Sequence, residues 1–234
     1  MEKRATMALV SDFDGTITDD DFFNYVSRRY LGEDALAPWR EYLAGNLTHF
    51  EALREIFSSL RIDRKEFDDF IRGIPVDKTF FRAAAYCRGQ GMPVYICSAG
   101  CDYYINRLIG KEIAALGIQP VTNRGVYNPS TGLTMTPPPS DSPFFDPATG
   151  ISKAAVVRRL QRQGYEVVYC GDGLPDLPAA EIADVVFARK TLLERCRLLH
   201  IKAEELQNFD QVYLFFKGEE NENNSPVNAC PATD

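Results

Sequence analysis

Four short runs in this chain are apolar almost without a break: MALVS (7–11), MPVYIC (92–97), YEVVYC (165–170) and DVVFA (184–188). Each is rich in β-branched or aromatic residues and bounded by Gly, Asp or Pro. A strand with one wet face alternates apolar with polar residues. A continuous run belongs to a strand buried on both faces, as in a parallel sheet covered by helices. Helical patterns lie between the runs. FFRAAAYCRGQG (80–91) ends in glycine where a helix terminates, and ISKAAVVRRLQRQG (151–164) does the same, with Ser152 as its N-cap. Strands alternating with helices predict an α/β fold, a Rossmann-like parallel sheet with helices on both faces. IQPVTN (118–123) reads as a further strand, and GVYNPSTGLTMT (125–136) as a hairpin.

The gap between the first two runs is too long for one crossover, which needs about 30 residues for a whole βαβ unit. Residues 19–77 carry helical patterns and no strand pattern, and LTHFEALREIFSSL opens with a Thr48/Glu51 capping box. The expected organisation is an α/β core from 1–18 and 78–216, a small all-helical cap inserted at 19–77, and a polar, disordered tail at 217–234. The insert's aromatics, Phe22, Phe23, Tyr25, Tyr30, Trp39, Tyr42, Phe50 and Phe57, are expected to form the cap's own core.

Charge and cysteine usage narrow the setting. The net charge is −7, and Lys and Arg do not cluster beyond pairs such as Arg158-Arg159, so no nucleic-acid partner is expected. No apolar run reaches the roughly 18–20 residues of a membrane helix, and the run after MEKRAT is too short for a secretory signal. The six cysteines lack metal-ligand spacing, and Cys97 and Cys170 each end an apolar run, which reads as buried thiols in a reducing, cytoplasmic setting.

The chemistry lies where the runs end. The first ends in Asp12-Phe13-Asp14-Gly15-Thr16, the second in Ser98-Ala99-Gly100, and the third in Gly171-Asp172-Gly173 with Asp176 close behind. Ligands of open α/β sheets bind beyond the carboxyl ends of the strands. Residues i and i+2 of a strand share a side, so Asp12 and Asp14 face one space while Phe13 turns to the core. Carboxylates so close repel unless a cation lies among them. Oxygen donors without His or Cys suit a hard ion, Mg²⁺ first. Lys153 opens a helix, where a cation opposes the dipole unless an anion faces it. Ser98 and the amides of Ala99 and Gly100 add anion donors. Carboxylates, Mg²⁺ and anion donors together suit phosphoryl transfer.

DFDGTIT, CSAG, Lys153 and GDGLPDLPAA, in this order, resemble the four motifs of the haloacid dehalogenase superfamily of phosphatases, and the insert stands where that superfamily carries a cap. The resemblance implies Asp12 as the nucleophile that becomes an aspartyl phosphate and Asp14 as the acid–base. It implies Ser98, Ala99, Gly100 and Lys153 as the phosphate-binding set. Mg²⁺ would be held by Asp12, the Asp14 carbonyl and Asp172, with Asp176 supporting the site. Within the superfamily the chain is similar to the phosphoserine phosphatase-like branch. In SAGCDYYINRLI and GDGLPDLPAAEIADVVFAR it is most like the 2-hydroxy-3-keto-5-methylthiopentenyl-1-phosphate phosphatases of methionine salvage. The implied substrate is a small phosphorylated metabolite.

Phosphoserine phosphatases carry a glutamate where Asp21 stands, and a cap arginine near Ile56, with Arg54 two residues off. Asp21 and Arg54 are therefore candidate substrate residues, and the shorter acid and displaced arginine count against phosphoserine. The salvage phosphatases have a cysteine-rich segment where this chain has TPPPSDSPFFDPATG (136–150), a loop expected to lie on the surface or to touch the cap or substrate. A non-hydrolytic phospho-accepting signalling module remains an alternative, disfavoured by chain length and by the insert.

Overall fold

The computed structural model describes residues 6–218. Its strands are β1 (Thr6–Ser11), β2 (Val94–Cys101), β3 (Gln119–Asn128), β4 (Gly132–Thr136), β5 (Phe145–Asp146), β6 (Gly150–Ile151), β7 (Tyr165–Gly171), β8 (Val185–Ala188) and β9 (Glu204–Glu205). Its α-helices are α1 (Phe22–Val26), α2 (Ala37–Leu43), α3 (His49–Ser58), α4 (Arg64–Arg72), α5 (Thr79–Gly89), α6 (Asp102–Leu116), α7 (Lys153–Arg162), α8 (Leu177–Ala180), α9 (Lys190–Leu198) and α10 (Phe209–Lys217). Among the described residues, no helix is long and apolar enough to cross a membrane.

Seven strands form one sheet in the order β4-β3-β2-β1-β7-β8-β9, parallel except for the β3–β4 hairpin. All four apolar runs are strands. IQPVTN and the first arm of the expected hairpin prove to be one strand, β3. Alternation divides the runs between two faces. Leu9, Ile96, Val168, Cys170 and Phe187 join one hydrophobic cluster, whereas Ala8, Val10, Val167, Tyr169 and Val186 join another under α7, α8 and α9. The unbroken apolar character of these strands thus follows from helices on both sides.

The register brings the chemistry to one edge. Ser11 sits opposite Ile96 of β2 and Cys170 of β7, so the residues that follow all emerge at the carboxyl end of the sheet. Asp12 is still held by its amide on the Cys170 carbonyl, 2.9 Å away. Phe13 is fully buried, as alternation requires. Gly15 then turns the chain with φ at +70°, and a Cβ there would lie 2.0 Å from an Asp172 carboxylate oxygen, so glycine is required twice over.

From Phe22 to Arg72 every regular element is helical, and Thr18 bridges Val76 where the chain leaves and re-enters. The capping box at the head of α3 is present. The aromatic residues do not close a separate core. Phe22 stacks on Tyr104 of α6 at 4.0 Å, and Phe67 packs on Tyr127 of β3 at 4.4 Å. The insert's helices run only five to ten residues, too little surface to bury a core alone, so they share the one on the sheet.

Polar ties reinforce the junction. The Tyr127 hydroxyl accepts from the Ile62 amide and donates to its carbonyl. Asp68 accepts from Tyr103 and Arg107. The loop before Lys153 also touches the insert, since Ala148 accepts from the Phe50 amide at 2.9 Å. At the other end, Lys217 closes α10 rather than opening a tail. The remainder of the expected tail, residues 219–234, lies outside the described residues, with Cys230 among them; the other five cysteines are free and buried.

Candidate active site

A cavity of about 320 Å³ opens at the carboxyl edge of the sheet, between the strand ends and the insert. Asp12, Asp14, Asp21, Ser98, Ala99, Gly100, Lys153, Asp172 and Asp176 all line it. Arg54 does not. On α3 the residues facing the cavity are His49, Leu53 and Phe57, one turn apart; Arg54 is exposed and lies over the Phe50 ring. Ile56, at the position that the resemblance aligns with the cap arginine of phosphoserine phosphatases, is buried in the core.

Lys153 is the electrostatic centre. Placed by Ser152, whose hydroxyl caps α7, its ammonium lies 2.7 Å from Asp12 and 2.6 Å from Asp176. Burial would strip its proton; the Asp12 and Asp176 carboxylates outweigh that and raise its pKa. Asp176 is satisfied on every side, by Lys153, by the Tyr169 hydroxyl and by the amides of Asp172 and Gly173. Burial opposes its charge, but the Lys153 ammonium and these hydrogen bonds prevail and hold it below the usual carboxylate range.

Asp12 and Asp172 are less well served. Among the described residues the Asp12 carboxylate accepts only from Lys153, and the Asp172 carboxylate only from Lys190. Burial, and then the Asp176 charge, raise both pKa values against the pull of those lysines. One carboxylate oxygen from each of Asp12, Asp172 and Asp176 lies within 4.8 Å of the others. Buried oxygen donors with no His or Cys among them match a hard divalent cation. Asp12 and Asp172 have donor capacity to spare for one; Asp176 does not, and orients the group instead.

Asp14 differs in kind. It accepts from the Ser98 hydroxyl at 3.0 Å, the Tyr104 hydroxyl at 2.5 Å and the Phe22 amide at 3.1 Å, and among the described residues it pairs with no lysine. Burial outweighs these bonds and raises its pKa. Ser98, expected to face an anion, here orients Asp14, while its oxygen also accepts from the Gly100 amide. Asp21 lies in the same wall; burial, then the Asp14 and Asp172 charges, push it up to about 8, so it is chiefly uncharged at neutral pH.

Several contributors had no sequence signal. Tyr104 carries none beyond its nearness to CSAG. Lys190 binds Asp172, Gly15 and Asp19 oxygens at 3.0–3.1 Å, and Arg189 donates to the carbonyls of Gly15, Thr16 and Thr18, so this basic pair clamps the turn after β1. Asn123 donates to the Ala99 and Thr149 carbonyls, tying the Ser98 loop to the segment before Lys153. Phe22, Phe23, Trp39, Tyr42 and Phe57 form the insert's side of the cavity, a role the expectation of a closed cap core left out.

A carboxylate cluster around a buried lysine thus lies at the carboxyl edge of a parallel sheet, beneath a helical insert, where α/β enzymes carry their ligand sites. The family follows: the haloacid dehalogenase-like hydrolase model matches residues 9–181, and the chain belongs to that family. It is 30% identical over 209 residues to the 2-hydroxy-3-keto-5-methylthiopentenyl-1-phosphate phosphatase of Geobacillus kaustophilus, spanning 88% of this chain and 93% of that protein. It is 28% identical to the Pdp3-interacting factor 1 of Schizosaccharomyces pombe, over 92% of this chain and 99% of that one. In fold it is similar to a substrate-bound phosphoserine phosphatase, with a TM-score of 0.64 at 17% identity, covering 94% of this chain and 100% of the other.

Proposed function

We propose that this protein is a Mg²⁺-dependent phosphomonoesterase that hydrolyses a small phosphate ester through an aspartyl phosphate on Asp12. The observation that carries this reading is the contrast between two neighbouring carboxylates. Asp12 is bonded to the Lys153 ammonium, whereas Asp14 is bonded to two hydroxyls and an amide. Burial raises both pKa values, but the ammonium beside Asp12 pulls it toward the charged form that a nucleophile needs, and Asp14 has only neutral hydrogen-bond partners, which suits an acid.

In this reading Asp12 attacks phosphorus, and the ester oxygen leaves with the Asp14 proton. Asp14, now a carboxylate, takes a proton from the water that attacks the phosphoryl group, which returns Asp12 and releases phosphate. Lys153 and the amides of Ala99 and Gly100 hold the phosphoryl oxygens, and Ser98 turns to them once Asp14 engages substrate. Asp12 and Asp172 would hold Mg²⁺, which would supply charge neutralisation at the phosphoryl group. Residues 19–77 act as the cap that keeps bulk water from the intermediate.

The first candidate substrate is 2-hydroxy-3-keto-5-methylthiopentenyl-1-phosphate, by analogy with the bacterial relatives. Phosphoserine fits less well. Lys153 and Lys190 both have carboxylate partners already, and among the described residues no arginine lines the cavity, so a substrate carboxylate would go unpaired. The test is hydrolysis of p-nitrophenyl phosphate with Mg²⁺, its loss in EDTA, and its loss in Asp12→Asn. Wild-type turnover by Asp12→Asn overturns the proposal.

A further inference from the structure

His49 opens α3 and lines the cavity on the insert's side. It is 9% exposed, and among the described residues neither ring nitrogen makes a hydrogen bond; Nδ1 is wholly buried, which leaves Nε2 as the nitrogen open to the cavity. Buried polar groups of folded proteins are nearly always paired, so an orphaned imidazole at a cavity wall asks what completes it. The ring cannot be turned to a protein partner without cost, because Trp39 and Tyr42 pack edge-on against it at 5.4 and 5.3 Å. The backbone is fixed as well, by the capping box at Thr48 and by the Phe50 amide on Ala148.

The surroundings narrow the ligand. Phe22, Phe23, Trp39, Tyr42, Leu53 and Phe57 share this side of the cavity, and they offer apolar surface. Each ammonium in the lining already serves a carboxylate. Burial, with the Lys153 ammonium adding to it, drives the imidazole down to about 3, so His49 is neutral across the working range. A neutral imidazole offers one donor and one acceptor and no charge. Through the open nitrogen that complement is met by a hydroxyl or carbonyl, and the aromatic surroundings, with both lining ammoniums already paired, disfavour a charged group.

We propose that His49 is a specificity-determining residue: it hydrogen-bonds an uncharged oxygen function on the apolar leaving group of the substrate, with the aromatic side of the cavity holding the carbon skeleton. This rests on the phosphomonoesterase reading. It adds to it a residue, a recognised group and a charge class for the leaving alcohol.

The experiment compares pentyl phosphate with 2-, 3- and 4-hydroxypentyl phosphate and with O-phosphoserine, in wild type, His49→Phe and His49→Gln, all with Mg²⁺. Wild type is expected to favour at least one hydroxypentyl ester over pentyl phosphate by about tenfold in kcat/KM, chiefly through KM. In His49→Phe that ratio falls to about one, and in His49→Gln, which keeps a donor and an acceptor, it stays above one. The ratio is taken within each protein, so a partly unfolded variant does not distort it, and His49→Gln serves where His49→Phe does not fold. A hydroxyl preference that survives in His49→Phe, its absence from wild type, or a preference for O-phosphoserine overturns the role of His49. Failure of wild type on every ester, p-nitrophenyl phosphate included, overturns the phosphomonoesterase reading beneath it.

Discussion

Lys153 and Asp12 face each other at 2.7 Å, with about 4% and 7% of their side-chain surfaces exposed. The same ammonium reaches Asp176 on its other side, so one cation holds two buried carboxylates that would otherwise repel. Removing one partner of such a set leaves charge uncompensated in the interior, at a cost of about 3–5 kcal/mol. Lys153→Met, of similar length and apolar, is expected to lose that much stability in urea unfolding at neutral pH, as well as its turnover. A loss below about 1 kcal/mol would mean that water reaches Asp12 and Asp176 once the lysine is gone.

Asp14 has a different test, because its proposed task is proton transfer. Its contacts are hydroxyls and an amide, and burial favours its protonated form. An alkyl phosphate needs its leaving oxygen protonated, and p-nitrophenolate does not. Asp14→Asn is therefore expected to slow alkyl phosphates by about 10²–10⁴-fold and p-nitrophenyl phosphate far less in the step that releases the alcohol. The check is burst kinetics, which separate that step from hydrolysis of the phosphoenzyme. Equal slowing of both bursts would remove Asp14 from the role of acid.

How far the site could be read from sequence depended on where each residue stands relative to a strand. Asp12, Ser98 and Asp172 follow apolar runs directly, so the sheet delivers them to one edge and the runs announce it. Lys153 is legible through its helix start. Tyr104, Lys190, Asn123 and His49 reach the site only because α6, α9, β3 and α3 pack where they do, and nothing in a one-dimensional pattern encodes that. The insert was legible as helical but not as an open partner of the sheet. Apolar residues at helical spacing read alike whether they close on each other, on Tyr104 and Tyr127, or on a cavity. Arg54 illustrates the same limit, since a shift of one residue along α3 swings a side chain by about 100°, from the cavity occupied by Leu53 to solvent.

The acidic cluster predicts a metal response that can be read without turnover. Burial and the Asp176 charge push Asp12 and Asp172 toward protonation, and a divalent cation shared by the two would favour their charged forms. A ligand that binds only the folded chain stabilises it by RT ln(1 + [L]/Kd). At 100 times Kd that is about 2.7 kcal/mol, a rise of about 5–11 °C in Tm for a domain of this size. Mg²⁺ is expected to raise the Tm of wild type and to leave the double variant Asp12→Ala, Asp172→Ala unchanged. An equal rise in both would locate the ion elsewhere.

His49 also sets a pH dependence of folding. Burial, with Lys153 reinforcing it and Asp176 opposing, holds its folded pKa at about 3, against about 6.5 in an unfolded chain. Between those values the unfolded chain carries the proton and the folded one does not. Acid therefore draws the equilibrium toward unfolding, and the stability due to a neutral His49 is complete above about pH 6.5 and is lost as pH falls toward 3. At pH 5 the loss is about 2 kcal/mol, from 1.5 units at about 1.36 kcal/mol each. The other raised carboxylates of the site titrate in wild type and variant alike, so the comparison isolates the imidazole. Urea unfolding at pH 7 and pH 5 should find wild type losing about 2 kcal/mol more than His49→Gln over that interval. Parallel losses would mean that the imidazole takes up its proton inside the folded protein, and hence that water enters the cavity wall between Trp39 and Tyr42 in acid.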